Sequence, residues 1–405
     1  MNNEEVRRFY KKGVGTGIAI GVLSVLLVCG IAFGIVFSGY YEKKVQAARA
    51  SLSLGDDVTA KINQLVSLAD TYFLYDYDKE EMADDIYRAV LDSLDDPYTR
   101  YYTEEEYKSL TESTEGVYCG IGAVVTQNAE TGEVVIVYPY EDSPAAEAGL
   151  LADDVVCQVD GEDVTGMDLD LVVDKIKGEE GTTVVLTVKR GEDLLDLEIE
   201  RRKIDVITVD SEMLEDNIGY IVISQFEGVT LEQFNEAFDE LKEQGMQGLI
   251  IDIRSNPGGR LDTVTEILDR LLPEGLIVYT EDKNGKREEI TSDAECDLDI
   301  PCAVLVNGNS ASASEIFSGA LQDYGLAEII GTQTFGKGIV QSIIGLEDGS
   351  AVKITVQDYY TPNGSNIHGV GITPDRIVEL DEEAYAEGTD TQLDAAVEYI
   401  QGQVE

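Results

Sequence analysis

The feature that most constrains the fold of this chain is a series of short apolar runs that alternate with helical patterns after about residue 218. The runs "IGYIVI", "GLIIDIR" and "CAVLVNG" each precede a helical pattern, and further strands are expected at "EIIGT" and "AVKITVQDYYT". Strands that are apolar along their whole length are typical of a sheet whose two faces are both covered by helices. The sequence therefore predicts an α/β layer with buried parallel strands.

Residues 116–200 have a different character, with short strands separated by Gly or Asp turns and only two helical pieces, "SPAAEAGL" and "DLDLVVDKIKG". This stretch resembles a PDZ domain, through "GIG" at Gly120–Gly122 and "SPAAEAGLLADDVVCQVDG" at residues 143–161. In that fold a glycine-containing loop binds a peptide's terminal carboxylate, and the peptide adds a strand to the sheet. The resemblance implies that Gly120, Ile121 and Gly122 bind peptide C-termini.

Residues 13–41 form the longest uncharged stretch of the chain. A bilayer span needs about 20 apolar residues, so this stretch predicts a transmembrane signal anchor after a cytoplasmic N-terminus, residues 1–12. The stretch is preceded by four basic residues, Arg7, Arg8, Lys11 and Lys12. This charge distribution favours a single-pass protein of the cell membrane, with the chain after the anchor outside the cytoplasm. A cleaved signal peptide with "ARA" at residues 48–50 is the alternative, but its apolar region is usually about 7–15 residues long.

Charge and cysteine content exclude some partners and leave the redox state open. The chain of 405 residues has 80 acidic and 29 basic residues, a net charge of −51. Binding of nucleic acid or of anionic lipid headgroups requires basic surfaces, so neither is expected. Four cysteines outside the anchor allow two disulfides or free thiols: Cys119, Cys157, Cys296 and Cys302.

Residues 42–115 are predicted to form the N-terminal helical region of the following domain. "KEEMADDIYRAVLDSL" has apolar residues at helical spacing. "DDPYTRYYTEEEYKSL" then predicts a turn at Pro97 and a new helix capped by Thr103.

Three serines alternate in "NGNSASASEIFSGAL": Ser310, Ser312 and Ser314. Ser312 and Glu315 match a capping box, in which a serine only satisfies free N–H groups at a helix start. A nucleophilic serine needs a base, and the single histidine, His368, has no evident carboxylate partner nearby. A neutral lysine can serve as the base instead. Lys337, between Gly336 and Gly338, is the candidate, provided that burial lowers its pKa by about 3 units.

These motifs together resemble the carboxyl-terminal processing peptidases, or tail-specific serine proteases. The quoted serine motif, "TFGKGIVQ", "IIDIRSNPGG", the PDZ-like region and "YYTPNGSNIHGVGITPD" occur in family order. The resemblance implies a ClpP/crotonase-like α/β serine protease core at residues 201–405 with an inserted PDZ domain. It assigns the nucleophile to Ser312, the general base to Lys337 and a lysine-positioning role to Gln341.

The same resemblance implies that the amides of Gly258 and Ala313 form the oxyanion hole. Gln341 shares a face with Lys337 whether the segment is a helix or a strand. Ser310 and Ser314 are expected to have local capping or turn roles, His368 a structural role, and Asp323 a structural role more than a catalytic one. No metal or nucleotide motif is present, so no cofactor is expected.

The sequence thus predicts a membrane-anchored serine endopeptidase that recognises protein C-termini through its PDZ domain. Its partners are protein or peptide substrates with accessible C-termini, and homodimerisation stays open. So does the physiological role, with envelope protein turnover and signalling cleavage as alternatives. The alternatives for the activity are an inactive PDZ adaptor on a protease-like core and a crotonase-like acyl-thioester enzyme.

Overall fold

The computed structural model describes residues 56–129 and 131–404, and the chain divides into two compact units at residues 81 and 82. In the first unit, Asp70 of helix α1 (Asp56–Tyr72) pairs with Lys79, beyond the loop that follows the helix, at 2.7 Å. Within the described ranges, no helix combines the length and the apolar character needed to cross a bilayer. The predicted anchor, residues 13–41, lies outside these ranges.

The predicted N-terminal helices are present in the described part of the region before residue 116. Helix α2 (Lys79–Asp92) runs across the unit boundary, and strand β1 (Arg100–Tyr102) and helix α3 (Glu104–Glu115) follow. The predicted cap is confirmed: Thr103 and Glu106 form a capping box, with Thr103 N donating to Glu106 at 2.9 Å. β1 was not predicted, because three residues are too few for a periodic pattern.

An antiparallel sheet with two short helices forms the inserted domain. Its strand order is β3-β4-β5-β7-β8, with β6 beside β5, and it packs around its own apolar core. The elements are β3 (Ala123–Gln127), β4 (Val134–Pro139), α4 (Pro144–Glu147), β5 (Val155–Val159), β6 (Glu162–Asp163), α5 (Leu169–Ile176), β7 (Thr183–Arg190) and β8 (Asp193–Glu200). The chain enters and leaves through a separate antiparallel pair, β2 (Val117–Gly120) and β9 (Arg202–Asp205).

The predicted parallel layer is confirmed in a six-stranded sheet of order β10-β11-β12-β15-β16-β19, in which only the β10–β11 pair is antiparallel. Its strands are β10 (Val209–Met213), β11 (Ile218–Ile223), β12 (Gly248–Asp252), β15 (Cys302–Val306), β16 (Glu328–Gly331) and β19 (Arg376–Ile377). All residues of β12 and β15 are buried.

Helices cover both faces of this sheet, which explains its uninterrupted apolar runs. Leu249 and Ile251 contribute to the core that also contains buried residues of α6 (Thr230–Glu243), α7 (Leu261–Leu271) and α8 (Ala313–Tyr324). Ile250 points the other way, into a cluster with α10 (Thr391–Val404). A short helix, α9 (Glu382–Ala386), precedes α10.

A second, antiparallel sheet lies outside the parallel layer. Its order is β1-β18-β13-β14, and β17 also pairs with β18. The strands are β13 (Gly275–Asp282), β14 (Arg287–Ser292), β17 (Ile339–Gly345) and β18 (Ala351–Tyr360). The expectation that "AVKITVQDYYT" belongs to the parallel layer was therefore wrong. Most residues of β18 are only half-buried, which suits a strand covered less completely than β12 or β15.

Candidate active site

Ser312 lies at the junction between a buried strand and a helix. It follows β15 and immediately precedes α8, with φ of 56° and ψ of −113°. A residue other than glycine seldom adopts a positive φ, and such strain often occurs at functional positions. Ser312 is half-buried and lines a cavity of about 670 Å³.

The two neighbouring serines are fully buried and make structural hydrogen bonds. Ser310 Oγ donates to Ile253 O at 2.8 Å, and Ser314 Oγ donates to Asn256 O at 2.9 Å. These bonds support the predicted local role and fasten the serine loop to the segment after β12. Of the three hydroxyls, that of Ser312 is the one in the cavity.

Glu315 joins the serine segment to the lysine segment. The predicted capping box is present, with Ser312 N donating to Glu315 Oε2 at 2.9 Å. The same oxygen accepts from Lys337 N at 2.8 Å, and Oε1 accepts from Thr334 Oγ1 and Gly336 N at 2.6 and 2.7 Å. The sequence indicated the cap but not the bridge to residues 334–337.

Tyr359 makes a second connection between the same two segments. Its hydroxyl lies 2.9 Å from Ser312 O and 2.8 Å from Lys337 O, so it donates to these carbonyls. Tyr359 is almost fully buried, and burial raises its pKa well above the ordinary value, so the hydroxyl keeps its proton. Nothing in the local sequence around residue 359 pointed to this role.

Lys337 lines the same cavity as Ser312 and is half-buried. Burial lowers the pKa of Lys337, the nearby charge of Lys353 lowers it further, and Asp96 and Glu315 act in the opposite direction. A depressed pKa leaves more of the amine neutral, which a general base requires. The Nζ atom lies 4.8 Å from the centre of the Tyr98 ring.

Glycines allow the lysine segment to pack closely against residues 368–371. A Cβ atom on Gly338 would lie 2.5 Å from His368 N, and one on Gly336 would lie 3.0 Å from Val370 N. The small-residue setting that the sequence indicated is therefore used for close backbone contact. His368 is exposed, and its backbone N donates to Asn366 at 2.8 Å.

Gln341 belongs to strand β17, so the helical alternative for residues 337–341 does not apply. Its side chain lines the cavity together with Ser312 and Lys337. Its Nε2 atom is buried without a hydrogen-bond partner. Across residues 56–129 and 131–404, no hydrogen bond joins the side chains of Ser312, Lys337 and Gln341.

The predicted oxyanion donors lie next to each other. A Cβ atom on Gly258 would come within 2.9 Å of both Ser312 Cβ and Ala313 N, so only glycine fits there. Ala313 is the first residue of α8, where backbone N–H groups have no partner within the helix. The Gly258 amide, however, donates to Asn256 Oδ1 at 2.8 Å. An oxyanion would have to compete with this bond.

The glycine-containing loop of the inserted domain precedes its edge strand. Gly122 has φ of 74°, and a Cβ atom there would lie 2.6 Å from Ser143 Cβ. Ile121 is buried and its carbonyl accepts from Ala145 N at 2.8 Å. Among the strands of residues 56–129 and 131–404, β3 pairs only with β4, so its other edge is open to an added strand.

The remaining candidates lie outside the cavity. Asp323 accepts from Asn363 N at 2.8 Å and caps a turn, which supports the structural role. The four cysteines of the described chain are all free thiols, so the disulfide alternative is wrong for this structure: Cys119, Cys157, Cys296 and Cys302.

Comparisons with known proteins agree with this architecture. The profile of peptidase family S41 matches residues 217–378, and that of a PDZ domain matches residues 135–190. A Staphylococcus haemolyticus protein named probable CtpA-like serine protease is 39% identical over 74% of this chain, which spans 61% of that protein's length. The carboxyl-terminal-processing protease of a Synechocystis strain is 38% identical over 78% of this chain and 76% of that protein.

A solved structure also shares the fold. This Bacteroides fragilis protein, assigned to the S41 proteases, is 18% identical to this chain with a TM-score of 0.50. The match covers 78% of this chain and 90% of that one.

Proposed function

This chain belongs to the carboxyl-terminal processing serine proteases of peptidase family S41, and we propose that it is a membrane-anchored endopeptidase that cleaves peptide bonds with a Ser312–Lys337 dyad. The observation that carries this proposal is that Ser312, Lys337 and Gln341 line one cavity. The two backbone segments that carry the dyad share the carboxylate of Glu315 and the hydroxyl of Tyr359.

In the proposed reaction, neutral Lys337 accepts the hydroxyl proton of Ser312 while Ser312 Oγ bonds to the scissile carbonyl carbon. The negative charge that develops on the carbonyl oxygen is stabilised by the amides of Ala313 and Gly258. Lys337 then returns the proton to the leaving amine as the C–N bond breaks. Water, deprotonated by the same lysine, hydrolyses the acyl-enzyme and releases the carboxylic acid and Ser312.

Substrate selection is assigned to the PDZ domain. A free C-terminal carboxylate would bind the backbone amides of Gly120, Ile121 and Gly122, while the peptide adds a strand beside β3. The positive φ of Gly122 and the open edge of β3 support this assignment. The proposal also includes a ClpP/crotonase-like fold for the protease core. Residues 13–41 anchor the chain in the membrane, and catalysis takes place outside the cytoplasm.

The test is cleavage of an internally quenched peptide by the full-length chain. Ser312→Ala and Lys337→Ala are each expected to lower kcat by about 10³-fold or more, because the two residues act as a unit. Two matched controls are expected to keep activity. Ser342→Ala lies on the same strand as Gln341, and Lys108→Ala lies on the exposed surface of α3. Undiminished turnover in either dyad variant removes the assignment.

One observation favours a second candidate function, a catalytically inactive PDZ adaptor on a protease core. In the described chain, the Ser312 and Lys337 side chains are not hydrogen-bonded to each other. A serine-reactive fluorophosphonate probe separates the two candidates. Labelling that Ser312→Ala abolishes supports the peptidase, whereas a folded protein that is never labelled at Ser312 supports the adaptor.

A further inference from the structure

The turn at residues 95–99, between α2 and β1, packs against the strands beside the catalytic cavity. Thr99 Oγ1 donates to Asp96 Oδ2 at 2.6 Å and accepts from Thr355 N, on β18, at 3.2 Å. Tyr98 N donates to Asp96 Oδ1 at 3.1 Å. These bonds hold the backbone of the turn that carries Tyr98.

The aromatic ring of Tyr98 is the partner of the Lys337 amine in this structure. Nζ lies 4.8 Å from the ring centroid, within the distance of about 6 Å over which an aromatic face attracts a cation. No hydrogen bond or ion pair of Nζ with any residue of 56–129 or 131–404 accompanies this contact. The side-chain Nε2 atom of Gln341, in the same cavity, is buried without a hydrogen-bond partner.

An aromatic face attracts an ammonium group but gives little to a neutral amine. The observed contact therefore favours the protonated lysine, which cannot act as a base. From this geometry we propose that Tyr98 is a positioning residue that holds Lys337 in a protonated resting position. Lys337 leaves this position when it engages Ser312. The inference deepens the proposed function and rests on it.

The charges of groups on three elements act on the pKa of the same amine. Asp96 in the turn and Glu315 on α8 favour the ammonium form, whereas Lys353 on β18 opposes it. Burial lowers the pKa of Lys337, and the ring counteracts this effect only while the lysine rests on it. Release from Tyr98 thus lowers the pKa of Lys337 and leaves more of the amine neutral when it engages Ser312.

The pH dependence of cleavage distinguishes this role from a merely structural one. The acid limb of kcat/KM reports the free enzyme and that of kcat reports the substrate complex. Tyr98→Leu removes the aromatic face and keeps an apolar side chain. It is expected to move the kcat/KM limb to lower pH by about 0.5–1.5 units and to leave the kcat limb in place.

Two variants serve as matched comparisons. Tyr98→Phe keeps the face and is expected to keep the kcat/KM limb of the wild type. Tyr279→Leu removes a ring that lies 3.6 Å from Arg287 Cζ, a cation that does not act on Lys337, and is expected to leave the limb unmoved. If Tyr98→Leu does not fold, Tyr98→Met replaces it, since methionine also lacks the aromatic face.

A direct titration tests the same contact without catalysis. In the full-length chain with Ser312→Ala, the ¹³Cε resonance of labelled Lys337, assigned by its loss in Lys337→Gln, should titrate at lower pH when Tyr98→Leu is added. An unchanged or higher pKa overturns the proposal, as does an equal shift of the kcat and kcat/KM limbs. Because this readout needs no turnover, it stays informative even if the proposed proteolysis fails.

Discussion

Glu315 has a larger role than the helix cap that its sequence context predicted. Its carboxylate accepts hydrogen bonds from Ser312 N, Thr334 Oγ1, Gly336 N and Lys337 N. A capping box can be read from four consecutive residues, but bonds to residues 334–337 depend on how two distant loops fold together. The sequence therefore identified the residue and only part of its function.

Replacement of this carboxylate should destabilise the protein and misplace the dyad. Glu315→Ala leaves buried donors unpaired, each at a cost of about 1–3 kcal/mol, so we expect a loss of about 3–5 kcal/mol in the free energy of unfolding, measured with urea. Glu266→Ala, at an exposed position of α7, is the control and should change it by less than about 0.5 kcal/mol. Equal stability of the two variants would contradict the bridging role.

Lys337 is expected to lower the free energy of unfolding at neutral pH. Because its pKa is lowered in the folded chain, the unfolded chain binds more protons at this site between the folded and unfolded pKa values. The free energy of unfolding then rises with pH over that window. Lys337→Met should abolish peptidase activity and raise stability at pH 7, and the gain should shrink as the pH approaches the ordinary pKa of lysine.

Urea unfolding of the wild type and Lys337→Met, at intervals from pH 7 up to the ordinary pKa of lysine at about 10.4, measures this effect. Lys108→Met, at an exposed position of α3, provides the control with no pH-dependent gain. A stability difference that is constant or grows with pH would show that the lysine is not held in a site that disfavours its charge.

At the level of elements, the sequence was most informative where burial is complete. β12 and β15 are buried at every position, so their apolar runs directly reported a covered sheet. Strands β17 and β18 are only partly covered, and their antiparallel pairing depends on contacts that no local pattern records. The bulge between Val340 and Gln341 likewise could not be read from the sequence.

The loop before β3 offers a prediction about substrate selection. Gly122→Val places a side chain where a Cβ atom already lies 2.6 Å from Ser143 Cβ, at φ of 74°. We expect a higher KM for a peptide with a free C-terminus, little change in kcat, and loss of the preference over the C-terminally amidated peptide. Steady-state cleavage of the two peptides measures this preference.

Gly161→Ala is the matched control for this variant. Gly161 lies in the turn before β6 and has a similar φ of 80°. No atom lies within 4 Å of a Cβ atom added there. Loss of the free-carboxylate preference in both variants, or in neither, would contradict carboxylate binding at Gly120–Gly122.

At the scale of the whole molecule, the order of the regions could be predicted from the sequence because each region has its own local sequence pattern. The glycine turns of the PDZ domain, the apolar strands of the core and the serine motif do not depend on one another. The placement of Tyr98 over Lys337 could not be predicted, because it joins residues more than 200 positions apart, on either side of the PDZ domain.

The proposed anchor predicts where the full-length chain is found in cells. Because residues 13–41 are uncharged, the full-length chain should sediment with membranes and resist extraction by high salt. A chain that begins at residue 42 should be released. Fractionation followed by protease treatment of intact cells measures both location and orientation, and full-length protein in the soluble fraction would contradict the anchor.

The most direct test of the central claim is the rate at which a fluorophosphonate acylates Ser312, measured against pH in the wild type and in Lys337→Ala. We predict that the wild-type rate rises with pH through one ionisation below the ordinary pKa of lysine. In Lys337→Ala we predict a rate at least about 10²-fold lower without that ionisation. Equal rates and equal pH profiles in the two proteins would contradict activation of Ser312 by Lys337.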